Sequence, residues 1–448
     1  MHNLLKLKKR LLNPFLMASA FNIVYGLYYY TKRNAISLFD SGSYSIAGDR
    51  LLTTGVVDIF RTPVYPLFLA ICNRIKGSIS IENFVSILQI IVFYISTYFF
   101  YKILKNYSSN RLFLFLATAI YGCSTIIIDW NQMVITESLS ISGIVFFAYL
   151  FVRYINVASS KTRILIPLCV LFLTLLRPGF VCLFIVVGLV YFTRLLIEKK
   201  DKINTLKGIV AFCVSVALLF GYFGLNKIQN NYFGLSSVAD LNLFMEVAEA
   251  GISQDNSDVE FVEGLNERFD EGSSGYHAAF GVYTDKLEGE YNERPAELIA
   301  RISSFNRESI SLHPGKYFNY LIGKIGIIGD GETLHFTHGN YYKEGVNPEI
   351  VVLGDYFKYK INFIYYVLIA QILIALLLWL RKREFPMIDF TMILLVGGQL
   401  ASNIIAGPGE FHRLNATVYP FVIVILFRII TLIADSIFMR INSTKAKE

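Results

Sequence analysis

The sequence predicts an all-α polytopic membrane protein of about ten transmembrane helices, with interfacial helices in its first outer loop and a mainly helical outer domain before the eighth span. Three observations carry this. The 448 residues are 54% hydrophobic and 15% aromatic but only 17% charged, with a mean hydropathy of +0.50, whereas soluble domains are about 25% charged and about 45–50% apolar. The apolar residues are grouped into runs of roughly 17–25, long enough to cross a bilayer. Short basic patches separate alternate runs, which marks those connections as cytoplasmic. The composition excludes a disordered chain, a collagen and a coiled coil, and argues against a set of ordinary soluble domains.

The net charge of +7 and pI of 8.9 do not indicate a nucleic-acid partner, because the charge is sorted along the chain. Residues 226–357 hold 21 acidic and 9 basic residues, while the remainder holds 13 acidic and 32 basic. The basic set is Lys6/Lys8/Lys9/Arg10, Lys102/Lys105/Arg111, Arg153/Lys161/Arg163, Lys199/Lys200/Lys202/Lys207, Arg381/Lys382/Arg383 and Arg440/Lys445/Lys447. Both termini are then expected in the cytoplasm, with residues 32–83 and the acidic segment facing outward.

In order, the expected spans are 11–30, 84–104, 112–128, 134–154, 164–176, 180–196, 209–225, 361–380, 387–406 and 418–434. Ala18-Ser19-Ala20 has the form of a signal-peptide cleavage site, but the apolar run continues well past it, which favours a retained first span. The fifth span is short and ends at Arg177-Pro178. Residues 63–76 are apolar but too short to span, so they fit a helix in the membrane interface, with Arg74 and Lys76 at its polar end. The chain therefore divides into an N-terminal membrane module (1–225), an acidic outer domain (226–357) and a C-terminal membrane module (358–448). In the acidic domain a helix is expected over 296–312, stopped by Pro314, followed by a half-apolar stretch over 315–329 that could return to the membrane surface. Cys72, Cys123, Cys169, Cys182 and Cys213 all lie outside this domain, so no disulfide framework is expected there; they read as packing residues.

Polar residues at the mouths of spans are the informative ones, because charge at membrane depth is costly. Asp40 lies beyond the first span, where Asp40, Tyr44, Ala47 and Leu51 recur at helical spacing. Arg61-Thr62-Pro63-Val64-Tyr65-Pro66 opens the interfacial helix. Asp129-Trp130, Thr136-Glu137, Arg177-Pro178 and the Gly407–Arg413 connection, with His412, complete the set. Each residue also has a plainer reading. Asp40 could cap a helix beginning near Ser43, Arg61, Arg177 and Arg413 could anchor helices to headgroups, Glu137 could cap the fourth span, and Tyr44 and Tyr65 could belong to an interfacial aromatic belt. Asp330, Glu332, His335 and His338 have metal-ligand residue types, but the glycines between them suggest a loop that could equally contact an acceptor.

The sequence around Asp40, with Ser41, Tyr44, Ala47 and Gly55, followed by R-T-P-V-Y-P-L-F-L-A from Arg61, resembles the GT-C membrane glycosyltransferases. These are the aminoarabinose and protein-mannosyl transferases that use polyprenyl-phosphate sugars. The resemblance continues through T-E-S-L-S at Thr136, L-R-P-G at Leu176 and the connection holding Arg413. It implies a catalytic carboxylate in the first outer loop, here Asp40, and an inverting hexosyl or pentosyl transfer at the outer face of a bacterial-type plasma membrane. Donor phosphate would be bound by Arg61, Arg177 and Arg413; Tyr44, Tyr65, Glu137 and His412 would shape the site or meet the acceptor. The implied partners are a polyprenyl-phosphate-linked sugar, a glycan, lipid or protein acceptor, and membrane lipids. Relatives often pair two acidic residues in the first loop around a divalent metal; here Asp40 is followed only by Asp49, so a divalent cation stays possible but no cofactor is assigned. Arg413 precedes Leu414 where relatives often have Tyr, and the outer domain precedes the eighth span instead of following the last. The alternatives are a glycan polymerase or ligase using a diphosphate-linked donor, and a flippase-type transporter, which would call for polar residues at span midpoints.

Overall fold

The computed structural model describes residues 13–157, 159–197, 202–288, 294–330, 362–382, 385–407 and 411–445. The described residues are overwhelmingly helical, with a parallel bridge pairing Ile36 and Met133. The N-terminal helices are α1 Pro14–Thr31, α2 Phe39–Thr54, α3 Val64–Ile75, α4 Ile81–Leu104, α5 Arg111–Cys123, α6 Glu137–Val157, α7 Ser160–Leu176, α8 Cys182–Ile197 and α9 Lys202–Asn230. The acidic region folds as α10 Val238–Glu249, α11 Val259–Asp270, α12 Gly275–Glu288, α13 Pro295–Leu312 and α14 Pro314–Asp330. The C-terminal part is α15 Asn362–Lys382, α16 Met387–Ala406, the short α17 Phe411–Asn415 and α18 Tyr419–Lys445.

Seven segments among the described residues are long and apolar enough to cross a membrane: Ile81–Leu104, Glu137–Val157, Pro178–Leu196, Thr205–Asn230, Ile364–Arg381, Met387–Ile405 and Tyr419–Ser436. An eighth is obtained if Arg111–Cys123 and Thr125–Gln132, bent by 48°, count as one. The bend falls at Ser124, whose extended backbone (ψ 117°) breaks the helix. The expected first and fifth spans are helical but fall outside this set. The described part of the first, α1, dilutes its apolar residues with Asn22 and a run of tyrosines, and α7 is only 17 residues long. Length and apolarity thus support seven or eight of the ten expected spans among the described residues.

Asn13 caps α1 by accepting the Phe15 N–H, with Pro14 at the first helical position, where its missing N–H costs nothing. Ala18, Asn22, Gly26 and Tyr29 recur every three or four residues and form its buried face. That face packs on α5, where the Asn22 side-chain amide donates to the Thr118 carbonyl at 3.1 Å. Helices α4 and α6 and helices α7 and α9 form the other close pairs of the bundle.

The acidic region has a hydrophobic core of its own. Phe244 of α10, Phe261 of α11 and Phe305 of α13 meet with ring centroids 5.4–5.5 Å apart, contacts worth about 0.5–1.5 kcal/mol per pair beyond the area they bury. Leu265, Ala279, Val282, Leu298 and Ile302 close around them. The acidic stretch is therefore two amphipathic helices, α11 and α12, packed on this core. The expected helix over 296–312 is α13. Pro314 both ends it and opens α14, where a proline is tolerated in the first turn.

Two helices occupy the first predicted outer loop. Gly48 of α2 lies against Pro66 of α3 so closely that a Cβ there would stand 2.2 Å from the Pro66 carbonyl oxygen. Gly55 ends α2 in the left-handed conformation (φ 70°), which glycine adopts without a steric penalty. This close pairing fixes the two flanks of the connection that carries Arg61.

Candidate functional site

Asp40 lies in the first turn of α2. Leu38 holds the N-cap position, and the Ser41 hydroxyl accepts the Leu38 N–H at 2.8 Å. Asp40 is therefore not the helix cap, and its carboxylate is directed into an ion-pair cluster. Arg61 Nη2 donates to Asp40 Oδ1 at 2.8 Å, and Arg413 Nη2 donates to Asp40 Oδ2 at 2.5 Å. Arg413 Nε also donates to Glu137 Oε1 at 2.5 Å, and Arg177 Nη1 stands 3.4 Å from the same oxygen. Five charged residues singled out in the sequence thus form one chain, Arg61–Asp40–Arg413–Glu137–Arg177, drawn from five separate segments.

Each member is placed by its own local structure. Glu137 is the first residue of α6 and is fully buried; the Thr136 hydroxyl donates to its Oε2 at 3.3 Å, and the helix N-terminus favours a negative charge there. Arg177 sits in extended backbone where α7 stops before Pro178, as expected of a residue preceding proline. Arg413 projects from the single turn of α17.

Arg61 is the most heavily braced. Its guanidinium lies over the Tyr44 ring, 4.4 Å from the centroid, and donates to Ser43 Oγ at 2.9 Å and to the Tyr44 hydroxyl at 3.3 Å. Tyr65, fully buried, meets Tyr44 edge-on at 5.1 Å and donates to Gln89 Oε1 at 3.4 Å. Neither tyrosine is a belt aromatic; the pair forms the floor under Arg61. The Arg61 backbone is held as well. Asp58 Oδ1 accepts the N–H groups of Phe60 and Arg61, both at 2.8 Å. The Val57 N–H donates to Gln229 Oε1 at 2.8 Å, the Asn230 amide donates to the Val57 carbonyl at 2.9 Å, and Ser236 and Ser237 donate to the carbonyls of Phe60 and Ile59. The end of α9 and the start of α10 therefore clamp the loop. Sequence reasoning missed this clamp, because its partners stand more than 170 positions away.

The other residues singled out fall elsewhere. Asp129 is buried against Arg33 and the Tyr29 hydroxyl, an ion pair separate from the cluster. Asp49 faces outward on α2. His412 lies in α17, with its side chain outside the described part of the structure, as are Glu332, His335 and His338.

Electrostatically the cluster suits an anion. Among the described residues it joins three guanidiniums to two carboxylates, an excess of one positive charge. Burial pushes the Asp40 carboxyl up, but Arg413 and Arg61 outweigh that effect and hold it below the usual carboxylate range. A metal ion fits less well. Both carboxylates already hold guanidiniums, and no group of three or more His, Cys, Asp or Glu residues among the described ones could hold one ion.

No protein-family model matches the chain, and no curated protein matches it in sequence. Solved structures do match in fold. One is an archaeal oligosaccharyltransferase, AglB from Archaeoglobus fulgidus, in complex with an inhibitory peptide and a dolichol-phosphate. It aligns with a TM-score of 0.51 at 10% identity over 97% of this chain and 51% of that one. Another is the Archaeoglobus fulgidus oligosaccharyltransferase in complex with Zn and sulfate, with a TM-score of 0.51 at 11% identity over 95% of this chain and 50% of that one. The chain thus spans about half the length of the structures it matches. At this identity the likeness is one of fold, and it is the fold that the resemblance to GT-C glycosyltransferases implies.

Proposed function

We propose that the protein is a GT-C-type glycosyltransferase that moves a single sugar from a polyprenyl-phosphate donor to a glycan, lipid or protein acceptor, with inversion, at the outer face of the membrane. The observation that carries this reading is Asp40 held between Arg61 and Arg413, a carboxylate with two guanidiniums each within hydrogen-bond distance of it. The AglB fold supports it, since that protein is bound to a dolichol-phosphate.

In the reaction proposed, the acceptor hydroxyl attacks the anomeric carbon, the bond from that carbon to the phosphate oxygen breaks, and its electron pair leaves with the phosphate. Asp40 takes the hydroxyl proton. Arginine suits the departing phosphate because its planar fork reaches two oxygens at once. In the unliganded arrangement Asp40 is a poor base, because both its oxygens are bound to guanidiniums. An incoming phosphate competes for Arg61 and Arg413 and releases the carboxylate as it takes them. The donor would therefore switch on the base, and donor binding precedes productive acceptor binding. Arg177, through Glu137, keeps Arg413 oriented during the exchange. No step is assigned to a metal ion.

A second reading, en bloc transfer of a glycan, draws support from the oligosaccharyltransferase fold. The assay that separates the two offers the purified protein polyprenyl-monophosphate sugars and diphosphate-linked glycans, alongside Asp40→Asn. Turnover of the monophosphate donors that falls about 10²–10⁴-fold in the variant is expected for a general base. Turnover of diphosphate-linked donors alone, or full activity in Asp40→Asn, would overturn the proposal.

A further inference from the structure

Lys324 of α14 is almost completely buried, at 1% side-chain exposure, and its ammonium meets three acceptors among the described residues. It donates to Glu246 Oε1 of α10 at 2.5 Å and to the backbone carbonyls of Ile404 and Gly407 at 2.7 and 3.0 Å. Those carbonyls belong to the C-terminal end of α16, where helix acceptors lack intrahelical partners and the helix dipole favours a cation. An ammonium has three protons, and each has an acceptor here.

The place of this contact matters more than its strength. Glu246 belongs to the core of the acidic region, between Phe244 and Val247. Gly407 leads into the connection that ends in α17 and Arg413. A second bond ties the same connection at its far end, from the Asn403 amide to Asn415 Oδ1 at 2.7 Å, and Leu414 packs against Gly407. The Arg413 turn is therefore hung between α16 and α18, and Lys324 is the point at which α10 and α14 grip it. Around the pair stand Glu249 of α10, Tyr276 of α12 and Tyr317 and Tyr320 of α14. The Tyr276 and Tyr320 hydroxyls are 2.8 Å apart, and Lys324 lies 5.6 Å from the Tyr320 ring centroid. Burial pushes the Glu246 carboxyl up to about 7 and the Lys324 ammonium down, so desolvation outweighs mutual attraction on both sides. A pair of that kind is weak evidence for a role in stability; what it supplies is a fixed point between the acidic region and the end of α16.

We propose that Lys324, gripped by Glu246, is a positioning residue for the transfer reaction. It fixes the end of α16, and through it the Arg413 guanidinium that meets Asp40, so the seating of the acidic domain determines whether the phosphate site is assembled. This rests on the reading of Arg413 as a phosphate-binding residue.

The test uses the full chain in lipid nanodiscs as wild type, Lys324→Met, Arg413→Ala and the double variant. Hydrogen exchange reads the segment 403–418, and single-sugar transfer from polyprenyl-phosphate donors reads turnover. Lys324→Met is expected to raise exchange across 403–418 at least tenfold while the 241–305 core stays protected, and to lower kcat at least tenfold. In the Arg413→Ala background the same substitution is expected to change kcat less than twofold, because its effect passes through Arg413. Unchanged exchange in 403–418, or kcat losses that multiply in the double variant, would overturn the proposal. If Lys324→Met also exposes the core, Lys324→Gln, which keeps an amide donor in place, takes its role with the same criteria. Absence of turnover with every donor in the wild type would count against the functional reading, while the exchange measurement still decides the positioning one.

Discussion

Asp40→Asn should separate binding from chemistry. The substitution keeps the volume of the side chain and one acceptor oxygen, but removes the charge that occupies Arg61 and Arg413. Both guanidiniums keep other partners: Arg61 keeps the Tyr44 ring and Ser43, and Arg413 keeps Glu137. The fold should therefore survive while the cations become more available. Hydrogen bonds to charged groups contribute about 1.5–3 kcal/mol each when sheltered. The three side chains are 17–26% exposed, so solvent screening reduces each ion pair to about 0.5–1 kcal/mol. A phosphate that need not displace them should bind better by about 1–2 kcal/mol, or about 5–30-fold. Loss of the proton acceptor should meanwhile lower kcat by about 10²–10⁴-fold. Titrating sugar-free polyprenyl phosphate into nanodisc-embedded protein measures the first effect, and single-turnover transfer measures the second. Weaker phosphate binding in the variant would refute the charge exchange, and a kcat within tenfold of wild type would refute the base.

Three further outcomes follow from the same geometry. Glu137→Gln should cost about 3 kcal/mol, the low end for a broken buried pair, and adding Arg177→Met should recover at least 1 kcal/mol of it; additive losses in a denaturant titration of the four variants would refute the link. Gly48→Val forces α3 away from α2 by placing carbon against the Pro66 carbonyl, with an expected cost of about 1–3 kcal/mol and roughly a tenfold loss in kcat/KM as the Arg61 loop shifts. The Glu246 carboxyl, pushed by burial from 4.5 up to about 7 in the folded chain, binds a proton there that the unfolded chain releases. Its stabilising contribution is complete below about 4.5 and is lost as pH rises through 7, so hydrogen exchange of the 241–305 core should quicken between pH 5 and 8 by more than the intrinsic rate. Glu246→Gln should remove that excess.

The sequence made the charge cluster visible for a physical reason. In a chain with so little charge, an arginine or carboxylate at the mouth of an apolar run stands out against its cost. Asp40, Arg61, Glu137, Arg177 and Arg413 all stood out that way, and all five meet. Their pairings were not legible, since partners such as Asp40 and Arg413 are separated by 373 positions and local spacing carries no signal over that distance. Asp129 looked equivalent and is not, because Arg33, close in sequence to α1, claims it. The bracing of Arg61 by Asp58, Gln229 and Asn230 and the grip of Lys324 on α16 were also hidden; each uses residue types that are ordinary in loops and helix ends. Of the expected spans, those at the tyrosine-rich α1 and the short α7 are the ones whose length and composition are marginal among the described residues.

The cluster also shows why a site for a charged lipid donor would hold its carboxylate captive. Three guanidiniums unpaired beneath a membrane surface would be costly to keep dry, and two buried carboxylates alone would protonate. Joined, they leave one positive charge, which matches the single negative charge of a sugar phosphodiester. As the bond to the sugar breaks, that phosphate gains a second negative charge, and Arg61 and Arg413 face it with Asp40 no longer between them. Stabilisation then grows along the reaction coordinate, the condition for binding energy to lower the barrier and not merely to hold the substrate. In the proposed reaction Asp40 also takes the acceptor proton and loses its own charge, so the cluster would meet the departing phosphate with one more net positive charge than it offers the donor, which is what the carboxylate adds to a site of arginines alone.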